Sequence, residues 1–153
     1  MSHPGHGGCT IRELCQRDYG DEKTLYFVLT PACDPNTTIM IPVDKTKQIG
    51  MRSIISLEEA DDILAFLCDG EASWDSDAKH RKQSYGEAVK SPDLFTLARM
   101  VKELLLQETK TALGNFEKEL LPKAQKRLFS EIALAKGQRF DETVRMACQA
   151  IQS

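Results

Sequence analysis

Ser56-Leu57-Glu58-Glu59-Ala60-Asp61-Asp62-Ile63-Leu64-Ala65-Phe66-Leu67 is the stretch where the chain changes its period. Ser56 stands before Leu57 with Glu59 three residues on, the pattern of a capping box, in which the hydroxyl accepts from a free N–H of the first turn. Ile63, Leu64 and Leu67 then share one helical face, and Gly70 is a plausible stop. Upstream of Arg52 the rhythm is that of strands. Thr10–Cys15, Leu25–Leu29 and Thr37–Val43 are short runs rich in β-branched, aromatic or alternating residues, separated by turn-rich Asp18-Tyr19-Gly20-Asp21 and Pro31-Ala32-Cys33-Asp34-Pro35-Asn36. They read as a small twisted sheet or barrel, with Pro31 and Pro35 at strand ends or in the loop because proline cannot donate to a ladder.

Downstream of Leu67 the pattern stays helical. A second helix is expected over Asp77 to Val89, after a polar connection that holds the sole tryptophan, Trp74. A third opens at Ser91-Pro92, serine capping and proline taking the first helical position, with Leu94, Leu97, Ala98, Val101 and Leu105 as its buried stripe. A fourth is expected from about Asn115 to Lys136, closed by Gly137, with Leu120, Leu121, Ala124, Leu128, Ile132 and Ala133 inward. Pro122 is a misfit there, so the helix either kinks or has its regular part from Leu121. Asp141 caps a last helix carrying Val144, Ala147, Cys148 and Ile151. The fold class is therefore α+β: a sheet module from Met1 to about Arg52, then about five helices from Ser53 to Ser153, without internal repeats.

Composition bounds the function. With 153 residues and 41% hydrophobic content the chain can bury a core, or two small ones. It has no run of eighteen apolar residues, and its amino end lacks a charged and apolar leader, which points to a cytoplasmic protein with no membrane partner. Cys9, Cys15, Cys33, Cys68 and Cys148 are scattered without a Cys-x-x-Cys pair, as expected of free thiols in a reducing compartment. Net charge is −3 but unevenly spread. Met1–Asp75 holds 6 Lys/Arg against 13 Asp/Glu, Ser76–Phe129 holds 11 against 7, and the remainder is balanced. Two surfaces with different partners are one reading; a solvated face is the other.

No catalytic constellation emerges. His3 and His6 lack a third ligand nearby and read as part of a glycine-rich turn. Gly7-Gly8 has neither phosphate-cradle spacing nor a following helix. Glu58, Glu59, Asp61 and Asp62 lie at a helix start, where negative charge offsets the macrodipole. Serines and cysteines have no evident base. No enzyme, cofactor, metal or small-molecule substrate is expected.

The order of several segments carries a resemblance. His3-Pro4-Gly5-His6-Gly7-Gly8, Tyr26-Phe27-Val28-Leu29, Ile41-Pro42-Val43-Asp44 and Ile49-Gly50-Met51-Arg52 resemble the polymerase-interacting module of CarD-type regulators, a module shared with transcription-repair coupling factors. Lys90-Ser91-Pro92-Asp93-Leu94, Ala98–Leu104, Glu119–Ala124 and Ser130–Ala135 are similar to that family's helical domain. Nearly the whole chain is covered.

The resemblance implies a Tudor-like β module gripping the RNA polymerase β subunit, and a helical domain touching promoter DNA, without sequence specificity, at the upstream edge of the bubble. Arg17 falls where family members can carry an arginine used at the polymerase interface, and Met40, before Ile41-Pro42, takes the place of another. Trp74 matches a tryptophan that wedges into the minor groove beside an opened base step. A partly buried packing residue is the alternative for it. Lys79, His80, Arg81 and Lys82 follow within two helical turns and could hold the flanking phosphates. Three departures qualify the match. The interval from Trp74 to Lys90 is about one helical turn longer than in the commoner pattern, and with Asp77, Arg81 and Tyr85 it resembles a clostridial subgroup. Asp75 and Asp77 beside the ring would repel phosphate, which favours a polymerase-binding protein without DNA contact. Family members also usually carry one more strand before the His-Pro element, whose absence would expose a sheet edge.

Overall fold

The computed structural model describes residues 1–20 and 22–152. Its sheet is built on one long hairpin, β2 (Gly7–Tyr19) against β3 (Glu22–Pro31). Both strands outrun the apolar segments that announce them. Beyond Cys15 the side chains of Arg17, Asp18 and Lys23 are exposed, and cross-strand pairing rather than burial extends the hairpin; Asp18 stands opposite Lys23, for example. A bulge between Ile11 and Glu13 shifts the register once. The turn falls at Gly20, which adopts a positive φ of 66°; Asp21 of the expected turn lies outside the described residues.

Strand β4 (Ile39–Pro42) pairs with Leu29–Tyr26 of β3. Val43, expected in the strand, instead opens a 3-10 turn (Val43–Lys45) that leads into the short α1 (Thr46–Ile49). Pro42, at the strand's last position, ends it without costing an interior ladder bond. At the other side β1 (Ser2–His3) pairs with Gly8 and Gly7, so the order is β1-β2-β3-β4, antiparallel throughout. Ser2 and Arg52 also exchange backbone hydrogen bonds of 2.7 and 3.2 Å, closing the end of the module on its beginning. This is the small Tudor-like sheet module that was expected.

Five longer helices follow: α2 (Leu57–Asp69), α3 (Ala78–Ala88), α4 (Leu94–Glu108), α5 (Asn115–Lys136) and α6 (Phe140–Gln152). The Glu59 N–H donates to Ser56 Oγ at 3.1 Å, and Gly137 takes the left-handed conformation that ends α5. Two starts differ from the sequence reading. Asp93, not Ser91, caps α4, because its carboxylate accepts from Phe95 N–H while Ser91 Oγ accepts from Asp93 N–H to shape the preceding turn. Helix α6 begins at Phe140, which leaves Asp141 inside its first turn. Pro122 lies inside α5 without ending it; its missing N–H leaves the Lys118 carbonyl without its usual donor.

The helices enclose a large core in which Leu97, Leu104, Leu128, Phe129 and Ile132 are fully buried. The sheet has a separate, small one of Cys9, Leu29, Ile41 and Met51. What joins the modules is α5. Gly8 N–H donates to Ser130 Oγ at 2.7 Å, and a Cβ on Gly8 would stand 2.9 Å from the Ser130 carbonyl oxygen. Gly7, at φ 72°, lies as close. Nearby, Glu131, 1% exposed, takes a two-pronged hydrogen bond from Arg52 (2.5 and 3.0 Å) and a third from Ile55 N–H at 2.9 Å. No helix among the described residues is long and apolar enough to cross a membrane.

Candidate functional site

Trp74 lies in the connection before α3, half-buried against the helical core. Asp77 caps α3, its carboxylate accepting from Lys79 and His80 N–H at 3.1 and 3.3 Å. The Asp75 carboxylate accepts from Asp77 N–H and also binds the His80 ring. Both acids that would repel phosphate are therefore engaged in shaping the turn around the tryptophan. The same contact moves two titrations: the His80 hydrogen bond holds Asp75 below its ordinary value, and Asp75 raises His80 above its own.

Arg81, on the first full turn of α3, is turned inward. Its guanidinium carbon stands 4.2 Å from the centre of the Trp74 ring. Its Nε and Nη2 donate to Glu117 Oε1 of α5 at 3.3 and 3.2 Å, and its Nη1 to the Asp75 carbonyl at 2.8 Å. The two side chains are only 13% and 9% exposed. Tyr85, one turn further on, is buried with its ring centre 6.4 Å from that of Trp74, and its hydroxyl donates to Glu103 of α4. Separating a pair as buried as Arg81 and Glu117 costs about 3–5 kcal/mol when one charge stays behind. Lys79 and Lys82 are exposed, and the Lys82 ammonium sits 5.6 Å from the Phe116 ring centre.

The basic middle of the chain is thus partly internal. Besides Arg81, Lys102 is buried and donates to the Phe66 carbonyl at the end of α2, and Arg127 donates to the Val89 and Ser91 carbonyls after α3. These cations satisfy helix C-termini and oppose their negative dipole ends. Lys79, Lys82, Lys90, Arg99, Lys110, Lys118 and Lys123 remain on the surface.

In the sheet, register decides which residues of the expected polymerase contact share a face. Arg17 stands opposite Thr24, Met40 opposite Val28, and Pro42 opposite Tyr26. Residues two apart on β3 point the same way, so Arg17, Met40 and Pro42 lie on one face. Ile41, opposite Phe27, points to the other and is 3% exposed in the sheet core. Its side chain packs in the sheet core, as the period of two requires, and leaves only its main chain at the edge of β4. Met40 is 40% exposed, and Arg17 is exposed.

Elsewhere the chemistry is quiet. The His3 Nδ1 accepts from Gly5 and His6 N–H, which makes it part of the turn. Among the described residues no group of three potential metal ligands gathers, and none of the main grooves is lined by His3 or His6. Burial pushes the Cys9 thiol up to about 11 and raises Cys33 and Cys148, so these three stay protonated at neutral pH. Sequence reasoning missed Glu117 and the packing of Gly7-Gly8 on Ser130. Neither has a local signal, since the partners are separated by 36 and 122 residues.

Comparison with known proteins agrees with both halves of this architecture. Residues 2–55 match the CarD-like/TRCF RID domain, and residues 62–147 match the CarD C-terminal domain. The chain is also 26% identical over 135 residues to YdeB of Bacillus subtilis (strain 168), designated a candidate transcription factor, with 88% of each protein covered. With one family model spanning more than half of it and the companion module in its proper place, the chain belongs to the CarD family of transcription regulators.

Proposed function

We propose that the protein modulates transcription initiation by holding RNA polymerase and promoter DNA at once, as a binding device without turnover. The β module takes the polymerase β subunit, through the face that carries Arg17, Met40 and Pro42 and through the main-chain edge of β4, which can add to a sheet on the partner. The helical domain meets the upstream edge of the bubble with Trp74. Lys79, His80 and Lys82 stand over the flanking phosphates, while Arg81 on the same helix faces inward.

The observation that carries this reading is the fixed placement of Trp74: half-buried, backed by Arg81, with Lys79 and Lys82 exposed beyond it. A ring already ordered avoids the roughly 0.5–1.5 kcal/mol that freezing a side chain costs on binding. Stacking on the face of an unstacked base then offsets about 1–3 kcal/mol of the unstacking cost. That difference favours the open complex over the closed one.

Binding to purified polymerase, alone and on a fork-junction promoter, tests it with Trp74→Ala. The expected outcome is unchanged binding to polymerase and a loss of about 5- to 150-fold in the DNA-dependent complex, the equivalent of 1–3 kcal/mol. Lys79→Ala should lower the slope of log affinity against log salt by about 0.9. A second reading, polymerase binding without DNA contact, draws on the internal engagement of His80 and Arg81. Indifference of the DNA-dependent complex to Trp74→Ala would establish it, and absence of polymerase binding by the folded chain would remove both.

A further inference from the structure

We infer that Arg81 is a positioning residue for the Trp74 ring, locked in that role by Glu117 of α5, and is not itself a phosphate ligand. For its DNA arm this rests on the proposed function; its structural arm does not. A guanidinium has five N–H donors and two flat faces. Here three nitrogens are committed, two to Glu117 and one to the Asp75 carbonyl, and one face covers the indole. The Asp75 contact matters because it holds the backbone of the residue next to Trp74. Arg81 therefore fixes the ring in two ways, by lying on it and by pinning its neighbour. Tyr85, anchored by Glu103, limits the ring from a second direction.

Reaching a phosphate would require Arg81 to abandon a buried carboxylate and uncover the indole together. Lys79 and Lys82 are exposed on the same helix and need no such rearrangement. Charge for the DNA and placement of the ring are thus divided between different residues of α3.

Two substitutions separate the roles because they predict opposite results. Arg81→Lys keeps the charge but cannot form the two-pronged contact and the stack together. Glu117→Gln removes the anchoring charge, leaving Arg81 at most neutral hydrogen bonds to the amide oxygen, without touching any group that faces DNA. Trp74 is the sole tryptophan, so intrinsic fluorescence of the free protein reports its ring directly. Positioning predicts that both variants, with circular dichroism spectra of the folded protein, show faster acrylamide quenching and lower anisotropy of Trp74. It further predicts about 5- to 10-fold weaker binding to the polymerase–fork-junction complex, with the salt slope of the wild type. A phosphate role predicts instead that Arg81→Lys binds like the wild type, that Glu117→Gln binds as well or better because Arg81 is freed, and that Arg81→Ala lowers the salt slope by about one. That second pattern would overturn the inference, as would unchanged fluorescence in both variants. If Trp74→Ala proves indifferent for DNA, the proposed function falls while fluorescence still decides what Arg81 does; if Glu117→Gln does not fold, Arg81→Lys carries both arms.

Discussion

His80 and Asp75 form an exposed pair beside Trp74 in which the histidine holds its proton to higher pH than a free imidazole. Asp75 raises His80 above its ordinary value of 6.5, chiefly through the hydrogen bond between them, with Asp77 and Glu87 adding in the same direction. A histidine raised on folding contributes stability that is fully present below about pH 6.5 and is lost as pH climbs through the raised folded value. Proton NMR titration of His80 should therefore give a midpoint above 6.5, falling toward it in Asp75→Asn, where Asp77 and Glu87 still act; equal midpoints in the two proteins would dismiss the pairing. At the same scale, Ser56 and Asp77 could be read as helix starts because a cap acts on N–H groups two or three residues away. The partner of Arg81 could not, because Glu117 arrives from another helix and no local rule places it. The direction in which Ile41 points was open for the opposite reason: alternation tells which residues share a face, and only the paired register tells which face is covered.

Helix α5 shows how an element can be read correctly against an apparent contradiction. Its bounds, Asn115–Lys136, and its stop at Gly137 are those the apolar period announces, and Pro122 sits well inside. Proline in an exposed helix interior is about 3 kcal/mol less favourable than alanine, but it also restricts the unfolded chain by roughly 0.4–1 kcal/mol. The tertiary packing of Leu120, Leu121, Ala124 and Leu128 outweighs the difference. Pro122→Ala should accordingly stabilise the protein by about 2 kcal/mol, or raise Tm by about 4–8 °C for a chain of this size. A lower Tm would mean that the proline shapes the helix in a way its exposure conceals. Where sequence reading missed by a few residues, the polar side chains serve other N–H groups than expected: Ser91 accepts from Asp93 and leaves the cap of α4 to that residue, and Asp141 accepts from Glu142 inside the first turn of α6. The strands were shortened in the reading because charged residues such as Arg17 and Asp18 continue a hairpin by pairing alone.

At the scale of the molecule the two cores are unequal. Among the described residues the buried cluster of the sheet is Cys9, Leu29, Ile41 and Met51, with Met1, Phe27 and Ile39 partly buried against it, a small core to set against the entropy of ordering four strands. The sheet therefore depends on its seat on α5, where Gly7 and Gly8 allow close approach to Ser130. Gly8→Ala would bring a methyl group against a backbone carbonyl that cannot rotate away, a misfit of about 1–3 kcal/mol. Hydrogen exchange should then speed up in β2 and β3 well before α4 and α5; uniform acceleration would show that the modules unfold as one. The change from strands to helices was legible as a change of period, but the contacts from Arg52 and Ile55 to Glu131 were not, because they join residues more than seventy positions apart.

One helix touches both ends of this arrangement. Glu117 holds the tryptophan's support, and Ser130 and Glu131 hold the sheet, on a single α5. Fourteen residues at about 1.5 Å each set these points roughly 21 Å apart. Under the proposed function α5 is the beam of a caliper, with the polymerase on one jaw and the DNA on the other. One inserted residue would open the gauge by about 1.5 Å and twist one jaw by about 100° relative to the other. A chain built this way accepts changes in the beam only in whole turns, and the interval it measures is set by covalent geometry rather than by affinity at either end.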